Sequence, residues 1–222
     1  MPRWLYLFFV ALDLSQVRFG VGVCACPDRE GEPVRNLVEV TFMSLNGVMD
    51  APKLVEEAVP YFQNDQEHSS YAEKLLFAAD ALLLGRKTYE VFAEAYPNMA
   101  KSSPPGMHAF IDRMNSIPKY VASRTLTKAM WNASIIEGDV TDEVLRLKQK
   151  PGKDILKYGT GSLDQVLLGH DLIDVLHVYV YPFLFGSGKR FLEDNQTVKH
   201  LKLRETTTFG NGTVILTYSC RD

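Results

Sequence analysis

From Leu37 onward, apolar positions fall into short blocks that alternate between the period of a strand and the period of a helix. Leu37-Val38-Glu39-Val40-Thr41-Phe42-Met43 is apolar and β-branched, a buried first strand, and Ser44-Leu45-Asn46-Gly47 breaks it with turn chemistry. Residues 67–79 place Tyr71, Leu75, Leu76 and Ala79 on one helical stripe. A strand over 81–84 follows, then a helix over 88–96 ended by Pro97, and a helix over 108–115 stopped by Pro118. Strands are predicted at 119–122 and 133–136. A helix over 142–150 is capped by Asp139 or Thr141, with acids in its first turn and lysines in its last. Next come a strand at 154–158, a helix at 162–169 and a long strand at 176–185. Two further strands, 201–209 and 213–219, flank Gly210-Asn211-Gly212, where Asn-Gly signals a hairpin because both residues accept positive φ. Alternating β and α with a terminal hairpin predicts an α/β protein: helices on both faces of a mixed, mainly parallel sheet, with an antiparallel C-terminal edge.

In such sheets ligands bind beyond the carboxyl ends of strands. Three segments stand at those ends: Gly85-Arg86-Lys87-Thr88, Ser123-Arg124-Thr125 and Gly159-Thr160-Gly161-Ser162. The first and third also open a helical pattern, and backbone N–H groups at a helix N-terminus hold phosphate. Arginine at the second is of the kind that distinguishes a 2′-phosphate. Each segment alone fits an ordinary turn; together they predict a site for a phosphorylated ligand. Gly186-Ser187-Gly188-Lys189-Arg190 is a rival, but Phe183 replaces the first glycine of a nucleoside-triphosphate loop and Arg190 its hydroxyl.

Composition narrows the options. The chain has 222 residues and a net charge of −3, with 24 basic and 27 acidic residues and no basic block, so a nucleic-acid backbone is not an expected partner. Cys24, Cys26 and Cys220 make neither a disulfide framework nor a zinc set, and the five histidines are scattered, so no metal is expected. Residues 4–12 form an apolar run too short to span a bilayer, and no convincing cleavage site follows it, so a cytoplasmic location without membrane attachment is expected. Residues 1–34 are expected to be an appendage to a domain covering 35–222, with Val34 a candidate alternative start.

Five motifs, in order over about residues 36–220, resemble the dihydrofolate reductase-like superfamily, more narrowly the reductase (C-terminal) domain of the bifunctional riboflavin-biosynthesis deaminase-reductase. They are residues 42–47, Leu84 to Glu90, Lys119 to Thr125, Tyr158 to Leu163, and Leu172 through Phe191. The resemblance implies an NADPH-dependent reductase that passes hydride to a pterin- or pyrimidine-like heterocycle or a carbonyl compound. It implies that Gly85, Arg86, Lys87, Thr88, Ser123, Arg124 and Thr125 hold the adenosine phosphates. By the same resemblance Gly159, Thr160, Gly161, Ser162 and Leu163 hold the pyrophosphate, and the nicotinamide lies near Thr41 and Met43, with Gly47 in the loop that closes over it. In the family the glycine pair at 159–160 often carries a non-proline cis peptide, which costs about 3 kcal/mol with threonine as second residue. Related domains often pair through sheet edges, so the long strand at 175–185 suggests a homodimer.

Departures bear on the substrate. The acidic residue that contacts the pterin in true dihydrofolate reductases aligns with His68-Ser69-Ser70, where there is no carboxylate, so dihydrofolate is not the expected main substrate. Asn46 stands where the riboflavin-type reductase usually has Asp, and the zinc signature of the deaminase half is missing. No catalytic residue emerges. His68, the histidine nearest the expected pocket, is expected at a surface or helix cap, with proton donation as the alternative, and Met49, Tyr61, Phe62 and Tyr181 as core or cavity lining. A nucleotide-binding module without turnover, acting as a sensor, is the alternative to an enzyme.

Overall fold

The computed structural model describes residues 35–50, 57–58, 61, 65–99, 107–190 and 198–220. The predicted appendage, with Cys24 and Cys26, and also Phe62 lie outside these residues. In chain order the elements are β1 (Leu37–Ser44), β2 (Val48–Asp50), α1 (Gln66–Ala78), β3 (Ala79–Gly85), α2 (Arg86–Met99), α3 (His108–Ser116), β4 (Lys119–Ala122) and β5 (Ala133–Ile135). There follow α4 (Val140–Lys148), β6 (Asp154–Tyr158), α5 (Ser162–Gly169), β7 (Val175–Tyr181), β8 (Lys189–Arg190), β9 (Lys202–Thr208) and β10 (Val214–Ser219).

Eight strands form one sheet in the order β5-β4-β3-β6-β1-β7-β10-β9. Pairs from β5 to β7 are parallel, while β10 runs antiparallel to both β7 and β9. Side chains alternate across a strand, and the two faces collect separate cores. Leu82 and Leu84 of β3 join Leu76 of α1, Tyr96 of α2 and Ile111 of α3; Ala81 and Leu83 join Val144 and Leu147 of α4 and Leu167 of α5. The predicted mixed sheet between two helical layers is therefore the observed architecture.

Most boundaries shift by a residue or two, and two ends differ more. Helix α2 runs through Pro97 to Met99, because proline in a last turn removes a single bond while Tyr96 and Met99 bury themselves in the core. Strand β7 ends at Tyr181 rather than 185: its partner β1 stops opposite it at Ser44, and Pro182 offers no N–H. In the terminal hairpin only Gly212 has positive φ (86°); Gly212 N donates to Phe209 O at 3.0 Å, and Asn211 instead accepts from Thr213 N at 2.9 Å through its side chain. The loop is the three residues expected, with the left-handed conformation at Gly212 alone and not at Asn211. A further difference concerns pairing of copies: β7 lies inside the sheet between β1 and β10, so the open edge on that side is β9, exposed along nearly its whole length.

At the edge opposite the strand carboxyl ends, one buried carboxylate ties four elements. Asp174 forms an ion pair with Lys148 at the end of α4 and accepts from Leu37 N at 2.7 Å. Its backbone N donates to Leu37 O at 3.0 Å and its carbonyl accepts from Cys220 N at 2.9 Å. Lys148 Nζ also donates to Leu172 O at 3.0 Å. The starts of β1 and β7, the end of α4 and the end of β10 are held there.

Candidate functional site

The carboxyl ends of β3, β4 and β6 open onto one cleft of about 580 Å³. It brings together twelve of the fifteen residues predicted to hold a cofactor: Gly85, Arg86, Lys87, Thr88, Ser123, Arg124, Thr125, Gly159, Thr160, Gly161, Ser162 and Leu163. Parallel neighbours in the sheet make this inevitable once the order is known, since β4-β3-β6 end side by side. The other three, Thr41, Met43 and Gly47, lie outside the lining. Thr41 is buried on β1 and its Oγ1 makes no hydrogen bond. Met43 is half-buried, and Gly47 (φ 81°) closes a turn by donating to Ser44 O at 2.9 Å.

Local chemistry explains each wall. Gly159 has φ 83°, and a Cβ there would collide with Thr88 Oγ1, so glycine allows the β6–α5 loop to lie against the first turn of α2. The peptide to Thr160 is trans, as are all peptides among the described residues, in keeping with the cost of a cis bond before threonine. Ser123 Oγ accepts from Thr125 N at 3.2 Å and Leu126 N at 2.9 Å, which folds the turn and turns Arg124 outward into solvent. Arg86 is committed in part, its guanidinium donating to Glu90 one helical turn on at 3.0 Å, with both side chains nearly half exposed. Among the described residues Lys87 and Arg124 enter no ion pair.

The opposite rim holds Met49, expected as core or cavity lining, and two cations that sequence reasoning missed. Strands β2 and β8 form a two-stranded ribbon that sets Met49, Lys189 and Arg190 on the cleft. Asn46 fastens it: the Asn46 amide donates to Phe185 O at 2.7 Å and its carbonyl accepts from Phe185 N at 3.0 Å. Sequence reasoning sets the Gly186–Arg190 segment aside as a nucleoside-triphosphate loop, and its pairing with β2 shows which site receives the cations. The cleft lining now counts six cations (Arg86, Lys87, Arg124, Lys157, Lys189, Arg190) against one carboxylate, Asp164, in a chain whose net charge is −3. Such concentration of positive charge in a concave site favours an anionic ligand.

His68 is not at the surface. It is fully buried, its ring 5.2 Å from that of Tyr179 and 5.1 Å from that of Phe209, with Tyr181 Oη 3.4 Å from Nε2. Burial pushes its pKa down to about 4, so it is neutral at physiological pH and ill suited to donate a proton. The cap of α1 is Asp65, which accepts from His68 N at 3.1 Å. Tyr181 is fully buried and stacks on Phe183 at 5.7 Å, part of the same aromatic group as Tyr61 and Phe42. Ser69, at the place of the pterin-contacting acid, donates to Asp65 O at 3.3 Å. Among the described residues no group of His, Cys, Asp and Glu is placed to hold a metal, and no helix is long and apolar enough to cross a membrane.

Residues 36–215 match the RibD C-terminal domain family, most of the described fold. The chain belongs to that family. As a RibD C-terminal domain protein it is 32% identical over 140 residues to the uncharacterized protein YyaP of Bacillus subtilis (strain 168), covering 63% of this chain and 73% of YyaP. Among solved structures it resembles a candidate riboflavin biosynthesis protein from Shewanella sp. PV-4, with TM-score 0.65, 19% identity, and 83% and 98% of the two chains covered. It also resembles a dihydrofolate reductase from Enterococcus faecalis complexed with NADP(H), with TM-score 0.52, 15% identity, and 84% and 97% covered. The RibD C-terminal domain therefore sits here on the reductase-type fold that its motifs resemble.

Proposed function

We propose that this RibD C-terminal domain protein is an NADPH-dependent reductase of a small heterocyclic or carbonyl substrate. The observation that carries the reading is the cleft with six cations and one carboxylate at three strand ends, on a fold that in one neighbour holds NADP(H). The residues fit the cofactor: Gly159 leaves the space a Cβ would fill, and the buried Thr41 Oγ1 is an unpaired polar atom at the proposed nicotinamide end. Arg124 and Lys87, with Arg86, Thr88, Ser123, Thr125 and Gly85, would hold the adenosine phosphates. Thr160, Ser162 and Leu163, between Gly159 and the start of α5, would hold the pyrophosphate, because first-turn amides have no acceptor within their helix. Bound NADPH supplies the hydride. The chain's own part is to orient the two partners and exclude water, with Met49 closing the apolar side of the cleft.

Three measurements test this. NADPH should raise the melting temperature, and its oxidation should be seen with a pterin, pyrimidine or quinone-like compound. Tight binding with no oxidation across such a panel would favour the non-catalytic sensor. Arg124→Ala should weaken NADPH by roughly 10–100-fold, the worth of charge-assisted hydrogen bonds to a phosphate, and leave NADH nearly unchanged; equal losses would contradict the 2′-phosphate assignment.

A cytoplasmic homodimer completes the proposal. The exposed β9 edge, with Leu203 half exposed and Leu201 beside it, is the surface on which a second copy would pair. Sedimentation should give a dimer for the natural chain and a monomer for Leu203→Asp; a monomeric natural chain sinks this part.

A further inference from the structure

Beneath the loop from β6 to α5 lie three titratable side chains that take no direct part in holding the cofactor in that reading. Glu39 at the centre of β1, Lys157 opposite it on β6, and Asp164 in the first turn of α5 are all 0–1% exposed. Lys157 forms an ion pair with Asp164, donates to Gly159 O at 2.6 Å, and has Nζ 3.4 Å from Glu39 Oε1. Asp164 also accepts from Gly161 N. No donor meets either oxygen of Glu39 in full hydrogen-bond geometry, but its carboxyl lies within reach of both Lys157 and the Asp164 carboxyl. Around it the sheet and helices present apolar groups: Leu176 and Val178 of β7, Leu83 of β3, and Leu167 of α5 share its face. The charged groups that act on it are Lys157 and Asp164.

One cation thus serves two carboxyl groups away from water. Two carboxyls in one such site do not both ionise cheaply, and the proton stays on the one with fewer stabilising partners. Asp164 has an ion pair and an amide donor. Glu39 has the more distant contact with the ammonium and faces the Asp164 carboxyl, to which a proton on Glu39 can be donated, so the proton belongs to Glu39. Burial pushes its carboxyl well above the ordinary range, Lys157 opposes this, and Asp164 adds to it.

The consequence reaches the cleft through the loop. Lys157 and Asp164 brace it from below at Gly159 O and Gly161 N, and with Glu39 neutral the trio carries no net charge. We propose that Glu39 is a positioning residue whose proton gates anion binding in the cleft. With the proton, it leaves Lys157 on Asp164 and Gly159. Without it, Glu39 draws Lys157 away from the loop and adds a buried negative charge under the phosphate. By linkage, anion binding at alkaline pH takes up a proton. The inference rests on the reading of the cleft as a phosphate site.

Glu39→Gln, with Glu39→Met as a second neutral variant, tests it by two readouts taken from mildly acidic to alkaline pH. The first needs no ligand. A carboxyl whose folded pKa lies above its unfolded value, near 4.5, costs stability as pH rises from that value through the folded pKa. Both variants should therefore melt higher than the natural protein at neutral and alkaline pH, by roughly 2–4 °C or more, with the gap closing in acid. The second is the affinity for NADPH and for inorganic pyrophosphate. The natural protein should lose up to about tenfold per pH unit above the Glu39 transition, and the variants should lack that loss. Matching melting profiles in natural and variant proteins overturn the proposal and leave the cofactor reading intact, as do matching affinity profiles. Divergent melting with no binding of either anion at any pH overturns the gate together with the phosphate reading.

Discussion

Asp174→Ala is expected to destabilise the protein by about 3–5 kcal/mol, the usual cost of removing one partner of a buried ion pair. The loss would lower the melting temperature by roughly 10 °C or more for a domain of this size. The variant leaves Lys148 charged, with 3% of its side chain exposed, and strips Leu37 N of its acceptor. Asp174→Asn keeps an acceptor for Leu37 and should lose less. The double variant Lys148→Met with Asp174→Leu removes both charges and should recover much of the difference, because desolvation of the pair is then no longer a cost. Thermal or denaturant unfolding of the three variants reads the result. Equal loss in the single and double variants would mean that geometry at the β1 start, not the unpaired ammonium, dominates.

Gly159→Ala is expected to cut NADPH affinity by about 100-fold. Two costs combine: a left-handed backbone (φ 83°), worth about 1 kcal/mol or more for a residue with Cβ, and a clash with Thr88 worth about 1–3 kcal/mol. Each 1.4 kcal/mol taken from binding is tenfold. Relief comes by moving the β6–α5 loop off α2, which pulls the proposed pyrophosphate wall away from the proposed adenosine wall. Because the clash involves the Thr88 side chain, adding Thr88→Ala should restore part of the loss, leaving the backbone cost. No recovery in the double variant would assign the whole effect to φ. Unchanged affinity in the single variant would remove Gly159 from the site.

Much of this organisation could be read from local signals. Strand and helix periods along the chain carry through to the sheet because each block buries a face; the strand at 154–158 ends before Gly159 (φ 83°), and the helix at 162–169 ends before Asp171 (φ 54°). The three strand-end segments were legible as a set for the same reason, since parallel strands point their carboxyl ends one way. Other features depend on contacts remote in sequence. Lys189 and Arg190 reach the cleft only through pairing of β8 with Val48 and Asp50. Glu39 lies in a strand legible as buried, but nothing in one dimension shows that Lys157 and Asp164 meet it there. His68 sits among Asp65, Gln66, Glu67 and Ser69, a polar stretch typical of a helix start, while its ring packs on β7 residues more than a hundred positions away. The apolar run past Tyr181 looks like continuing strand, but where a strand loses its neighbour is a property of the sheet.

Asn46 carries a lesson for redesign. A carboxamide both gives and receives a hydrogen bond, and here it does each with the same backbone residue, Phe185, 139 positions away. Aspartate in its place can only receive, so restoring the acid usual in riboflavin-type reductases would set a carboxylate against a carbonyl oxygen and unfasten the ribbon before supplying any new chemistry. Grafting a relative's substrate onto this scaffold therefore begins with rebuilding residues 183–186, and only then with position 46.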